Sequence, residues 1–117
     1  MAGITVDKSY AFAVRVVKLC RQLIVTQKEF VLSKQLLRSG TSIGANVREG
    51  EDAQSRADFL HKFSIALKEA NETSYWLDLL HDTGFINDEE YESIQTDCME
   101  LKKLLTSIVK TTRSKPK

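Results

Sequence analysis

Proline is nearly absent, with one in 117 residues, and glycine is scarce at five. That scarcity excludes a turn-rich β-sandwich and a Pro/Gly-rich disordered chain alike. Cysteine occurs only twice, at Cys20 and Cys98, too few for a disulfide framework of the secreted kind. No apolar run approaches the roughly 18 residues of a membrane span. The first residues lack the basic start and apolar stretch of a signal peptide. The expectation is a cytoplasmic protein with reduced thiols and no membrane partner. Neither sign of charge dominates: 17 basic side chains face 16 acidic ones, for a net +1. Taken whole, that sum excludes a strongly basic nucleic-acid binder.

What is present is a helical period. Apolar residues recur at a spacing of 3.6 throughout, and no segment alternates as a strand would. The pattern predicts an all-α fold: an antiparallel up-down-up-down four-helix bundle over residues 1–111. Its helices span about 7–26, 33–50, 55–82 and 87–111, and 112–117 reads as a basic disordered tail. In the first helix the apolar side chains fall into two stripes. Tyr10, Ala13, Val14, Val17, Cys20 and Ile24 form one; Phe12, Val16, Leu19 and Leu23 form the other. Together they cover about 220° of the helical wheel. One stripe suffices for a monomeric bundle, so the second points to a neighbouring subunit.

Ser33 reads as the N-cap of the second helix. Within that helix Gly40 and Gly44 lie four apart with Ala45 beside them. Each costs roughly 1 kcal/mol relative to alanine, so a helix that keeps them needs their smallness for the close approach of a neighbour. The alternative is that the glycines end the helix early in a loop. Ser55 with Asp58 resembles a capping box for the third helix, and Asp88, Glu89 and Glu90 suit the first turn of the fourth.

Chemistry is sparse. His61 and His81 are twenty residues apart on one helix, whereas helical metal ligands sit three or four apart. Cys20 and Cys98 fall in apolar stripes and read as small hydrophobes. Ser42, Asn46 and Glu49 share one helix face, as Glu69 and Glu72 do on the next helix. A di-metal carboxylate centre needs Glu-x-x-His motifs, and none is present. The structural alternative has Asn46, Glu49 and Glu72 hydrogen-bonded across a tight helix pair, with Arg38 or Arg48 as partners. No phosphate loop, catalytic triad or zinc spacing occurs. No cofactor, metal, small-molecule substrate or enzymatic activity is expected.

The stretch from Ser33 to Gly50, SKQLLRSGTSIGANVREG, and that from Ala57 to Leu77, ADFLHKFSIALKEANETSYWL, carry a resemblance. The chain resembles the four-helix-bundle proteins of the 23S ribosomal RNA intervening-sequence family. That family in turn is similar to the accessory variability determinant protein of diversity-generating retroelements. The resemblance covers about residues 10–108. It implies a barrel-shaped homopentamer. It also implies a partner that is nucleic acid or a reverse-transcriptase-like protein, held through basic surfaces. The family motif falls here on Ser42, Gly44, Asn46, Glu49, Gly50, Ala66 and Glu72, read as packing and network positions.

Segmenting the charge reopens the question of a polyanionic partner. Residues 1–48 hold eight basic and two acidic side chains, a net of +6. Residues 49–100 hold three and fourteen, a net of −11, and residues 101–117 hold six and none, again +6. The candidate nucleic-acid-binding residues are Lys8, Arg15, Lys18 and Arg21 in the first stretch and Lys110 and Arg113 in the last. The candidate close-packing and polar-network residues are Gly40, Ser42, Gly44, Asn46, Glu49 and Glu72. The expected function is an oligomeric, non-enzymatic binding module for nucleic acid or a nucleic-acid-processing protein. The alternative is a scaffold that binds another protein through the acidic mid-chain or the spare apolar stripe.

Overall fold

The structure is a computed structural model, and it describes residues 2–115. Four helices follow one another: α1 (Ala2–Gln27), α2 (Val31–Glu51), α3 (Arg56–Asp82) and α4 (Asp88–Ser114). No strand occurs among the described residues. Each helix packs on the next, and α4 packs back on α1. The Cα atoms fill a rod of 50 × 21 × 20 Å. Its length is what helices of 26 or 27 residues require, at about 40 Å each plus their links.

The helix ends differ from expectation for local reasons. α1 begins at Ala2, not near Asp7. Gly3-Ile4-Thr5-Val6 is a poor helix former, but Thr5 and Ser9 are buried, and packing overrides propensity there. α2 begins at Val31, so Ser33 is not its N-cap. The Glu29 carboxylate does that work, accepting the N–H groups of Val31 and Ser33 at 3.2 and 2.7 Å. The chain reverses before it through Lys28, whose φ of 56° is left-handed. Ser55 Oγ accepts the Asp58 N–H at 3.1 Å, so α3 is capped by the expected residue, and Asn87 Oδ1 caps α4 by accepting the Glu90 N–H at 2.8 Å. The glycines do not interrupt α2. α4 passes Thr111 and runs to Ser114, because the Arg56 guanidinium donates to the carbonyls of Thr112 and Lys115. A cation on those last carbonyls favours the helix C-terminus. Residues 112–114 of the expected tail are thus helical, and residues 116–117 lie outside the described residues.

One core runs the length of the rod. Phe12, Val16, Leu19 and Leu23 of α1 enter it, with Leu36, Ile43 and Val47 of α2. Phe63, Leu77 and Leu80 of α3 and Ile94, Leu101 and Leu105 of α4 complete it. Small residues set the separations. A Cβ at Gly40 would lie 2.8 Å from both methyls of Val16, and one at Gly44 would lie 3.3 Å from the Ser9 carbonyl oxygen, so α2 presses on α1 there. A Cβ at Gly50 would lie 2.6 Å from the Phe63 ring, so the end of α2 presses on α3. Between α2 and α3 the buried Thr73 and Ser39 hydroxyls meet at 2.9 Å. Both cysteines are buried and free. Their S–H groups point at the carbonyls of Ser33 and Ala70, and burial pushes each thiol up to about 12.

Candidate functional site

The two basic stretches do not merge. On α1, Lys8 Nζ pairs with Glu100 Oε2 at 3.2 Å, and Arg15 pairs with Asp97 Oδ2 at 2.7 Å. The second nitrogen of the Arg15 fork donates to Ser93 Oγ at 3.0 Å. Lys18 borders the same α1–α4 groove beside Glu90, and Arg21 is exposed. The first half of α4 therefore lies along the basic stripe of α1 and cancels much of its field. Exposed pairs of this kind add under about 1 kcal/mol each to stability, but they leave little charge for a partner.

The second half of α4 is different. Lys102, Lys103, Lys110 and Arg113 are in no ion pair among the described residues. At about 100° per residue they fall within an arc of roughly 100°, over about 16 Å of helix. Thr106, Ser107 and Thr111 place hydroxyls among them, along a shallow depression that starts at Met99. Lys110 and Arg113 were legible as candidates; Lys102 and Lys103 were not singled out, although their helical spacing to Lys110 and Arg113 is the signal that joins them. Cations spaced along an exposed ridge suit a phosphate backbone, which needs charge and hydroxyl donors rather than a pocket.

A second surface is apolar. Of the two α1 stripes, Phe12, Val16, Leu19 and Leu23 are buried in the core, but Tyr10 is 58% exposed and Val14 and Val17 are each 37% exposed. Cys20 of the outer stripe turns inward. Val6, Tyr10 and Ala13 face Thr41, Ala45 and Arg48 of α2 across a groove floored by Gly44. The Arg48 guanidinium sits 5.5 Å over the centre of the Tyr10 ring.

The expected polar network across α2 and α3 is mostly not formed. Ser42 Oγ donates to the Arg38 carbonyl at 2.6 Å and Asn46 Nδ2 to the Ser42 carbonyl at 2.9 Å, both within α2. Glu72 accepts from Trp76 on its own helix at 3.4 Å. Short polar side chains on a helix find their own backbone first. Only Glu49 crosses, to Lys62 at 2.9 Å, and neither arginine joins. Beside Glu72, Glu69 Oε1 is enclosed with no donor among the described residues. Burial first, then the charge of Glu72, raises the Glu69 carboxyl.

The sequence profile of the 23S rRNA-intervening sequence proteins matches residues 4–107. The chain belongs to that family. A solved structure of a protein of unknown function from the S23 ribosomal protein family of Bacteroides thetaiotaomicron is similar to it. The two share 62% identity, with a TM-score of 0.92, over 93% of this chain and 97% of the other. No curated protein matches. The family positions therefore have defined settings here. Gly44 and Gly50 sit at helix contacts, Ala66 is fully buried, Glu49 reaches Lys62 of α3, and Ser42, Asn46 and Glu72 bond within their own helices. No helix among the described residues is long and apolar enough to cross a membrane, and no three potential metal ligands cluster among them.

In this family member the α3–α4 link carries a clasp that acid holds and rising pH loosens. His81 Nε2 lies 2.6 Å from Asp88 Oδ1, Nδ1 lies 3.4 Å from Asp82, and the ring stacks on Tyr91 at 4.1 Å. The hydrogen bond to Asp88 raises the imidazolium above its ordinary 6.5, burial opposing it and the charges of Asp88 and Asp82 adding to it. A raised histidine contributes stability that is complete below its unfolded value and lost as pH rises through the folded one. The denaturation midpoint should therefore fall from about pH 6 to about pH 8, and His81→Gln should flatten that fall. An equally steep profile in the variant would remove His81 from the account.

Proposed function

We propose that this chain is a non-enzymatic, cytoplasmic binding module that holds a nucleic-acid backbone along the second half of α4. In this reading the four helices run up-down-up-down and the copies join side by side into a ring, fivefold by family resemblance. The observation that carries the binding is the set of unpaired cations Lys102, Lys103, Lys110 and Arg113 on one face of one helix. The observation that supports a ring is the exposed stripe of Tyr10, Val14 and Val17, which a monomer leaves in water. At about 25 cal/mol per Å², covering such a stripe is a favourable step.

A mobility-shift titration with structured RNA and duplex DNA tests the binding. Retention is expected at about 50 mM salt, and it should weaken with a log–log slope near −3 per engaged chain. Replacing Lys102, Lys110 and Arg113 together by alanine should weaken binding at least about tenfold, while replacing the paired Lys8 and Arg15 should change it little. No retention at low salt would overturn the reading. Light scattering that gives a 13 kDa particle at micromolar concentration would overturn the ring.

The second reading is a scaffold for another protein. Phe30 and Val31, 58% and 71% exposed at the start of α2, favour it. A partner retained on the protein after nuclease treatment, and lost in Phe30→Ser, would support it over nucleic acid.

A further inference from the structure

We propose that the outer face of α4 pairs with the same face of a second copy, antiparallel, about a two-fold axis at the level of Leu101. Glu89, Glu92, Thr96, Met99, Lys103, Thr106, Lys110 and Arg113 recur along α4 at alternating spacings of three and four. That spacing places them on one face of the helix, and because only Met99 among them is apolar, a pairing there would be held by charge rather than by an apolar core. Every one of these residues is exposed, while Ile94, Cys98, Leu101 and Leu105 face the core. The chain thus carries a polar seam on the side of α4 that no helix of its own covers.

Four of the five charges on this seam are antisymmetric about Leu101. Glu89 and Arg113 are equidistant from it, as are Glu92 and Lys110. Thr96 mirrors Thr106, and Met99 mirrors Lys103, whose charge has no acidic counterpart. In an antiparallel coiled coil each a position faces a d position of the partner, and here those layers are these four pairs. Each layer occurs twice across a two-fold axis, so Glu89 and Glu92 meet Arg113 and Lys110 of the other copy at both ends. A parallel pairing would set glutamate on glutamate and lysine on lysine, so the charge pattern selects orientation as well as partner. None of these charged groups is in an ion pair among the described residues. At the centre Met99, 39% exposed, supplies an apolar contact against the stem of Lys103.

The helix dipole accounts for Glu89 and Arg113, which lie in the first and last turns, but not for Glu92 and Lys110. It favours acids in the first turn and bases in the last, and its effect dies within a turn. Glu92 and Lys110 lie beyond those turns. A polar seam binds weakly and is screened by salt. The pairing would cover Lys103, Lys110 and Arg113, so a second copy and a phosphate backbone compete for α4; this consequence alone rests on the function proposed above.

Sedimentation velocity on the full chain without nucleic acid is the test, with the particle at about 500 mM salt as reference whatever its size. At about 50 mM salt a species of twice that mass is expected. Glu92→Lys and Lys110→Glu should each weaken the doubling about tenfold or more, because each sets like charges together in two places. The double variant E92K/K110E should restore it, with unchanged helical circular dichroism throughout. Absence of a salt-sensitive doubling, or a double variant no better than the singles, overturns the pairing. Loss of nucleic-acid binding with the doubling intact overturns only the function reading and leaves this contact supported.

Discussion

Phe63→Ala lowers stability by about 4 kcal/mol, the upper part of the range for removing a fully buried ring. Phe63 has no exposed surface, stacks on Phe59 with ring centres 4.2 Å apart, and closes against Gly50. Its loss leaves a cavity that helix ends cannot readily collapse into. A domain of this size commonly holds only about 5–15 kcal/mol in total, so the variant is close to unfolded near 37 °C. Gly50→Ala alone should cost about 2 kcal/mol, because its Cβ would sit 2.6 Å from that ring and 3.2 Å from Lys62 Cβ. In the Phe63→Ala background the same substitution should cost much less, since the ring atoms at 2.6 Å are gone and only the 3.2 Å contact with Lys62 Cβ remains. Urea denaturation at fixed protein concentration measures all three. Additive losses would show that the ring and the glycine do not share their space.

Gly40→Ala is the second large effect. Alanine gains up to about 1 kcal/mol of helix propensity, and the clash must exceed that before any loss is seen. A Cβ 2.8 Å from two methyls of Val16 does exceed it, because Val16 is fully buried and its β-branched side chain has one favoured rotamer in a helix. A net loss of about 2 kcal/mol follows. Val16→Ala removes both methyls, so the double variant should be more stable than the sum of the two single losses. Gly44→Ala provides the contrast. Its Cβ would meet the Ser9 carbonyl at 3.3 Å, a contact that a small helix shift relieves, so propensity and clash roughly cancel within about 0.5 kcal/mol. Equal losses at positions 40 and 44 would contradict this ordering.

The four helices were legible because their signals are local. Apolar period, Ser55 and the acidic first turn of α4 all act within a few residues. The glycine pair told of a close approach but not of which helix approaches, since spacing says nothing of partner. The ends of α1 and α4 were illegible for another reason. Buried Thr5 holds one and Arg56, distant in sequence, holds the other. The polar set on α2 shares a face as spacing requires, yet Ser42 and Asn46 turn to their own backbone, a choice that spacing cannot reveal. Charge sums by segment were a mixed guide. They located the basic end of α4 but treated Lys8 and Arg15 as available when Glu100 and Asp97 neutralise them.

The two buried thiols give this chain a pair of internal stopwatches. With each thiol at about 12, only roughly one part in 10⁵ is thiolate at neutral pH, and neither sulfur is open to a reagent. Alkylation therefore waits for the packing to open. Cys20 is locked against α2 and Cys98 against α3, so each reports the parting of a different helix pair. If both label at one rate, the rod opens as a unit; if Cys20 labels first, α1 and α2 separate while the other pair stays closed.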